Sequence, residues 1–140
     1  MFKKVLLAVD GSPYSDKAVA VAKDLLEAGS IGSIDIVNIA LGQVDQNYYM
    51  GSNISESLIA GAKESGKIVL EKAQRVFADQ PAVQTKLLVG AAAKKLVDMS
   101  GNYDLIIMGS RGLNAVSRVL VGSVSSKVSQ HADCPVMLVR

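Results

Sequence analysis

The stretch KVLLAVDGSP (residues 4–13) indicates the fold class, because an apolar run is followed at once by a polar pair and then by the signal for a helix start. Its first part, residues 4–9, is a continuous apolar run, which is typical of a strand covered on both faces of a sheet. A polar, glycine-containing pair ends the run, and Ser12 followed by Pro13 predicts a helix N-cap with proline at the first helical position. A buried strand that leads at once into a helix is the opening unit of an α/β fold.

The same alternation of strand and helix continues along the chain. Further strands are predicted at residues 33–41, 83–90, 104–109 and 135–140. Helices are predicted between Ser12 and Gly29, from about Ser55 to Asp79, over 91–100, and from the glycine–serine region through His131. The apolar stripe of the long second helix is assigned to Leu58, Ala62, Ile68, Val69, Ala73 and Val76. We therefore expect one α/β domain over residues 1–140, with a single doubly wound sheet of five parallel strands and helices on both faces.

The composition excludes several classes of protein. Fifteen basic and thirteen acidic residues give a net charge of +2, too balanced for the electrostatic footprint of a nucleic-acid-binding protein, and the absence of Trp argues against base stacking. No apolar stretch approaches the length of a membrane span. Cys134 is the only cysteine and His131 the only histidine; we expect a buried structural thiol and a surface or helix-capping imidazole. We therefore predict a cytoplasmic protein with no nucleic-acid or membrane partner.

The predicted sheet indicates where a ligand would bind. In open parallel sheets, ligands bind beyond the carboxyl ends of the strands, at the point where the strand order reverses. The common orders for five strands are 3-2-1-4-5 and 2-1-3-4-5. Under the first order the reversal lies between the first and fourth strands, which would bring Asp10 and Gly109 to one crevice.

The stretch GSRGLNAVSRVLVGSVSSK (residues 109–127) has the composition of an anion site. Glycines after the fourth strand let backbone amides approach a phosphate, since no Cβ intervenes. Gly122, Ser123 and Ser125 add amides and hydroxyls where the last helix begins, and the helix dipole favours an anion there. The stretch contains neither a Walker A sequence nor a Rossmann G-x-G-x-x-G sequence.

Each of these features has a simpler interpretation as well. The glycines could serve only the turn, and Asp10 could bond its own backbone. Arg111 and Arg118 could meet phosphate charge or be solvated loop residues. The loop residues Tyr48, Tyr49 and Met50 could cover the site, contact a partner, or have no particular role. The combination of Asp10 with the serine pair favours an anion or nucleotide site.

At these residues the chain resembles the universal stress protein family, in its nucleotide-binding branch. The family opens with a strand that ends in Asp, as VLLAVDGSPYSDKA (residues 5–18) does, and closes with a segment like HADCPVMLVR (residues 131–140). Residues 89–112 look like its third helix and fourth strand, so the resemblance covers essentially the whole chain. Its G-x-x-G, nine residues, G-Ser/Thr motif is matched by Gly109, Gly112, Gly122 and Ser123. One departure is the run Ala91–Ala93, where many relatives have a proline-containing turn.

The resemblance implies a fold like that of the adenine nucleotide alpha hydrolases, with strand order 3-2-1-4-5. It implies an ATP-binding (or AMP- or ADP-binding) stress-response or signalling protein without strong catalytic activity, with any Mg²⁺ held mainly by the nucleotide and with no catalytic or metal-ligating residues of its own. It also implies a homodimer that pairs the last strands, Pro135 to Arg140, since an apolar edge strand needs a partner. The implied nucleotide-binding residues are Ala8, Val9 and Asp10 at the adenosine, Ile39 at the adenine edge, Met108, Gly109, Arg111 and Gly112 at the ribose and phosphates, and Gly122, Ser123, Val124 and Ser125 at the phosphate chain.

Two alternatives to a nucleotide-binding stress protein stay open. One is a slow ATPase or phosphotransferase that uses the same site; against it, Asp10 is the only plausible carboxylate at the strand ends, and phosphoryl transfer needs a positioned nucleophile. The other is an interaction module that no longer binds nucleotide, and the intact glycine–serine pattern argues against it.

Overall fold

The computed structural model describes residues 1–42, 55–113 and 121–140. In these ranges the strands are β1 (Phe2–Ala8), β2 (Ile31–Ala40), β3 (Val83–Val89), β4 (Leu105–Gly109) and β5 (Val136–Val139). The helices are α1 (Pro13–Glu27), α2 (Glu56–Val76), α3 (Ala92–Met99) and α4 (Ser123–His131), and a 3-10 turn covers Ser100–Asn102. Every predicted strand and helix is present, with bounds that differ from the predicted ones by a few residues.

The strands form one parallel sheet in the order β3-β2-β1-β4-β5. β1 pairs with β2 on one side, up to Ala8 opposite Val37, and with β4 on the other, up to Leu7 opposite Ile107. The order 3-2-1-4-5 is therefore confirmed. Since the chain winds outward from β1 to β3 and then returns to the far side of β1, the order reverses between β1 and β4, and a crevice opens at the carboxyl ends of these strands.

The side chains of the inner strands alternate between two cores, one on each face of the sheet. The first core packs against α1 and α2 and receives Val5, Leu7, Ile34, Ile36, Leu105 and Ile107 from the sheet. The second packs against α3 and α4 and receives Leu6, Val37, Ile106 and Met108. Because both faces are covered, the strands read as continuous apolar runs, and each fully buried Leu, Ile or Val contributes about 1.5–3 kcal/mol.

The helix after β1 begins as the sequence predicts. The Ser12 hydroxyl accepts a hydrogen bond from the Ser15 amide at 3.2 Å, and Pro13 is the first helical residue. At the other end, Gly29 follows the last turn with φ of +75°, a conformation that glycine adopts without strain. The start of α1 is thereby fixed directly above the end of β1, next to the crevice.

The buried face of α2 differs from the predicted stripe. Leu58, Ile68 and Val76 are 38%, 61% and 42% exposed, so their assignment to the core was wrong. The buried residues of the helix and its cap are Gly66, Leu70, Ala73 and Phe77. The reason is Gly66: α2 approaches β2 so closely that a Cβ at this position would lie 2.5 Å from Asn38 Oδ1. Val69 and Ala73 of the predicted stripe do pack against the core, so the prediction was partly correct. A search for large apolar residues passes over a glycine and therefore places the centre of the stripe to one side of the buried face.

A polar cluster lies on the face of the second core, away from the crevice. Asp35 of β2 is buried, and its Oδ2 atom accepts a hydrogen bond from the Tyr103 hydroxyl at 2.8 Å and lies 3.1 Å from Lys86 Nζ. Burial, together with the bond to Asp35, raises the pKa of the Tyr103 hydroxyl. The pKa of Lys86 is also raised, because its ammonium group is hydrogen-bonded to Asp35 and Tyr103. The folded protein therefore holds both protons more tightly than the unfolded chain does.

These raised pKa values predict a loss of stability at alkaline pH. Below the ordinary tyrosine pKa of 10.0, both side chains are protonated in the folded protein and in the unfolded chain. As the pH rises above this pKa, the unfolded chain releases protons that the folded protein still holds, so the free energy of unfolding falls. Tyr103→Phe should reduce this fall and should cost about 1–2 kcal/mol at neutral pH, because Asp35 loses a donor. Urea unfolding at about pH 8 and about pH 10.5 measures both effects; an equal alkaline fall in the two proteins would contradict the prediction.

Candidate functional site

A cavity of about 490 Å³ opens at the carboxyl ends of β1, β2 and β4 and reaches beneath α2. This volume is in the range of small-molecule sites. All the residues that the resemblance assigned to the nucleotide line it: Ala8, Val9, Asp10, Ile39, Met108, Gly109, Arg111, Gly112, Gly122, Ser123, Val124 and Ser125. The fold therefore brings the four separate segments of the prediction together in one cavity.

One wall of the cavity is the N-terminus of α4. Its N-cap is Gly122, and among the described residues no side chain caps the helix, whereas α1 and α2 are capped by Ser12 and Ser55. The first amide bonded within the helix is that of Ser126, which donates to Gly122 O at 2.9 Å. The amides of residues 123–125 are thus left at the positive end of the helix dipole, an arrangement that can hold an anion.

The serine hydroxyls contribute less to this wall than the sequence analysis assumed. Ser125 is buried, and its hydroxyl donates to Ser110 O at 2.7 Å, so that its proton is used within the protein. The Gly122 amide also donates to Ser110 O, at 2.6 Å. Ser123 is exposed. The donors left for an anion are therefore mainly backbone amides, with Ser123 at the rim.

Asp10 links the first strand–helix turn to the glycine loop. Its Oδ1 atom accepts from the Ser12 amide at 2.9 Å and its Oδ2 atom from the Leu113 amide at 3.2 Å, while its own amide donates to Ser15 Oγ at 3.1 Å. The interpretation that Asp10 bonds its local backbone is confirmed by the bond to Ser12. Asp10 also lines the cavity, and its role toward a nucleotide stays a prediction. Its carboxylate orients the loop that carries Gly112.

Arg111 is held at the same end of the cavity by Tyr14. Its guanidinium carbon lies 5.1 Å from the centre of the Tyr14 ring, within the range of a cation–π interaction. Its Nε atom is buried and, among the described residues, has no hydrogen-bond partner. A buried charged donor without an acceptor is costly in a protein interior, and an anionic ligand would satisfy it. Arg118, Tyr48, Tyr49 and Met50 lie outside the described residues.

The other end of the cavity is apolar. Ile39, Leu41, Leu96 and Met108 line it from the sheet side and α3. The facing wall is one side of α2, on which most residues are small. Its lining residues are Ser57, Leu58, Gly61, Ala62, Ser65, Gly66 and Val69. An apolar compartment that adjoins a wall of free amides suits a ligand with a flat apolar group at one end and negative charge at the other.

Sequence reasoning missed this second wall of the cavity. The additional lining residues are Ser15, Val37, Asn38, Ala40, Leu41, Gly42, Ala92, Leu96 and Leu113, with those of α2. Two signals were present: Asn38 interrupts an apolar strand, and Gly61 and Gly66 interrupt a helix, where glycine needs a packing or functional reason. Neither signal says which cavity the residue faces, because that depends on where α2 crosses the sheet.

The remaining candidates have simpler environments. His131 is exposed in the last turn of α4. Burial, with the charges of Asp104 and Asp133, raises the pKa of the half-buried Cys134 thiol, so the unreactive thiol form is favoured. Within residues 1–42, 55–113 and 121–140, no cluster of three or more His, Cys, Asp or Glu side chains could hold a metal ion. No helix in the same ranges has the length and apolarity needed to cross a membrane.

The sequence and the structure were both compared with known proteins, and the matches are to universal stress proteins or to proteins of the same fold. The profile of the Universal stress protein family matches residues 1–140. A relative from Thermus aquaticus, named "Universal stress protein in QAH/OAS sulfhydrylase 3'region", is 38% identical over 148 aligned positions that cover 100% of both chains. The solved structure of hypothetical protein MJ0577 matches with a TM-score of 0.78 at 23% identity, over 99% of this chain and 96% of that one. A universal stress protein in complex with cAMP matches with a TM-score of 0.70 at 22% identity, over 99% and 97%.

The structural matches and the sequence matches support different conclusions. Below 25% identity, the structural matches show a shared fold. The family profile and the Thermus aquaticus relative extend over the full length of the chain, including the glycine–serine motif that lines the cavity. The chain therefore belongs to the universal stress protein family.

Proposed function

We propose that the protein binds an adenine nucleotide in this cavity and acts as a stress-response or signalling protein whose contacts change with occupancy. The observation that carries the proposal is the uncapped N-terminus of α4, which lines the same cavity as the apolar compartment under α2. Phosphate would bind the amides of residues 123–125, with Arg111 beside it, and the base would enter the apolar end. The related structure in complex with cAMP supports an adenine nucleotide as the ligand.

The residues present suit a nucleotide whose Mg²⁺ rests on its own phosphates. Among the described lining residues, Asp10 is the only carboxylate, and both its oxygens already accept backbone amides. Mg²⁺ usually keeps several waters and binds proteins through few carboxylates, so it would be carried by ATP and water here. ATP, with AMP or ADP as the alternatives, is the proposed ligand, and a cytoplasmic location remains a prediction.

We expect the purified protein to carry or bind adenine nucleotides. Denaturing the native protein and identifying any released nucleotide by mass spectrometry is the first measurement; calorimetric titration with ATP, ADP, AMP, cAMP and GTP is the second. Adenine nucleotides should bind more tightly than adenosine, because the α4 amides interact only with phosphate. Equal affinity for adenosine and AMP, or no binding of either, would contradict the proposed site.

The same preparation tests the alternative of a slow ATPase. The carboxylate that would serve as general base, Asp10, accepts amides at both oxygens, which argues for an orienting role. We therefore expect phosphate release from ATP to stay at the background rate. Steady release well above background that disappears in Asp10→Ala would establish hydrolysis at this site.

We also propose that two copies pair through β5. Pro135 O and Val139 O accept amides from β4, so the backbone groups of residues 136 and 138 point to the free edge. Leu138→Pro should abolish the dimer, because proline lacks the amide that a partner strand needs, while Leu138→Ala removes the same side chain and keeps the amide. Analytical ultracentrifugation measures the result. A monomeric wild-type protein, or equal dimerisation of the two variants, would refute pairing through this edge.

A further inference from the structure

The β1–β2 ladder ends one rung earlier than the backbone would allow. The last rung has the Val9 amide donating to Val37 O at 2.9 Å, and in a parallel ladder the next would join the Ile39 amide to Val9 O. In its place, Asn38 Nδ2 donates to Val9 O at 2.9 Å. The side chain of a strand residue has thus taken the acceptor of the following backbone rung.

This exchange leaves the Ile39 amide facing the cavity. In β2 the backbone groups of odd-numbered residues face β1, as the bond to Val37 O shows, and the β1–β2 register ends at Ala8 opposite Val37. Ile39 lines the cavity, and its carbonyl accepts the Gly42 amide at 2.9 Å. The apolar end of the cavity therefore contains a backbone donor on the β1 side of β2, just beyond the last rung of the ladder.

Asn38 is fixed in place by the helix above it. It is 7% exposed, and a Cβ on Gly66 would lie 2.5 Å from its Oδ1 atom. A buried amide in an apolar strand is costly unless it is hydrogen-bonded, and a leucine of similar size would pack there at lower cost. The pair Asn38–Gly66 thus has a use that core packing alone does not explain.

We propose that Asn38 is a positioning residue which, by occupying Val9 O, presents the Ile39 amide to the base as a hydrogen-bond donor. The ligand group that it selects is an unprotonated ring nitrogen, as on the pairing edge of adenine; the same edge of guanine carries an N–H and would be repelled. The inference rests on the proposed function, because it assumes that the base enters the apolar end. Asn38 acts on affinity only through the backbone of Ile39.

Binding of base analogues tests this role. Affinities of AMP and of its 1-deaza, 3-deaza and 7-deaza analogues are measured for wild type, Asn38→Leu and Asn102→Leu. One analogue should bind wild type about tenfold or more weakly than AMP, corresponding to the loss of one hydrogen bond. In Asn38→Leu the backbone rung can form, so this difference should disappear. Asn102→Leu, which makes the same change at an exposed position outside the cavity, should keep the difference.

Amide hydrogen exchange supplies a readout that needs no ligand. In the free wild-type protein the Ile39 amide should exchange quickly and become protected by AMP; in Asn38→Leu it should be protected without AMP. If Asn38→Leu does not fold, Asn38→Thr, whose hydroxyl is too short to reach Val9 O, replaces it. Protection of Ile39 in the free wild type, or an unchanged analogue difference in the variant, would overturn the inference. Failure of wild type to bind any of these nucleotides would instead refute the proposed function, while the exchange result still stands.

Discussion

Gly122→Val should weaken the binding of AMP and ATP by about a hundredfold, or about 2.7 kcal/mol, while the fold remains intact. The backbone at Gly122 has φ of −73° and ψ of 167°, which any residue adopts. Among the described residues, the atom nearest to a Cβ there would be Arg111 Cα at 3.4 Å, an ordinary contact. The valine methyl groups would, however, stand before the free amides of α4 and keep a phosphate from reaching them. Hydrogen bonds to a charged group contribute about 1.5–3 kcal/mol each, so the loss of one or two accounts for the effect.

Calorimetry with AMP and with adenosine separates this effect from a general disturbance. AMP should lose affinity and adenosine should change little, because adenosine does not use the α4 amides. Ser129→Val is the matched control, since it places the same side chain on an exposed position of the same helix. Unchanged AMP affinity in Gly122→Val, with an unchanged melting temperature, would show that phosphate does not bind at α4.

Gly109→Ala should lower the free energy of unfolding by about 2–3 kcal/mol, the usual cost of overpacking. A Cβ at Gly109 would lie 2.8 Å from both the carbonyl carbon and the Cβ of Tyr14, and 3.0 Å from the Ser15 amide nitrogen. These atoms belong to the first turn of α1, which cannot move without disturbing its cap on Ser12. Urea unfolding gives the value directly.

Gly101→Ala is the control for this substitution. Within the part of the chain that the structure describes, a Cβ at Gly101 would meet only Asp133 Oδ2, at 3.7 Å, so the variant should unfold with the wild-type free energy within about 0.5 kcal/mol. If Gly109→Ala were as stable as Gly101→Ala, the close approach of α1 to β4 would not be a constraint on the fold.

Gly109 also illustrates how far the sequence could predict the site. Its place directly after an apolar strand suggested that it admits phosphate, and it does line the cavity. The tight contact, however, is with Tyr14 of α1, a residue distant in sequence. Local spacing identifies a glycine that must remain a glycine, but it does not reveal which neighbour excludes a side chain.

The fold itself followed from local patterns in the chain. Apolar runs such as residues 4–9 predicted strands covered on both faces, and the Ser12–Pro13 pair predicted the start of α1 correctly. The strand order could not be predicted from these patterns alone, because two orders fit the same alternation of strands and helices. The resemblance to a family favoured the order that is observed. The predicted face of α2 was correct for Val69 and Ala73 and wrong for Leu58, Ile68 and Val76, since the closest contact of the helix is made by Gly66, which carries no hydrophobic signal.

The site residues divide in the same way as the elements of the fold: local patterns predicted some of them, and contacts between distant elements determine the others. The end of the cavity at which we propose that phosphate binds is built from backbone amides at a helix start, which glycine and serine mark in any sequence. The apolar end is built where α2 crosses β2, and the cavity there depends on the distance between two elements. Asn38 was visible only as a polar residue in an apolar strand; its bond to Val9 O depends on the register of β1 and β2.

The two edges of the sheet differ in a way that limits assembly. On the β3 edge, Lys86 points its charge inward to Asp35, and its neighbours Gln84 and Thr85 are exposed and polar. Inward-pointing charges on edge strands are a known protection against uncontrolled strand addition. β5 carries only apolar side chains. Two copies joined at β5 would therefore turn both protected edges outward, so that growth stops at a closed, two-fold symmetric pair and no continuous fibre forms.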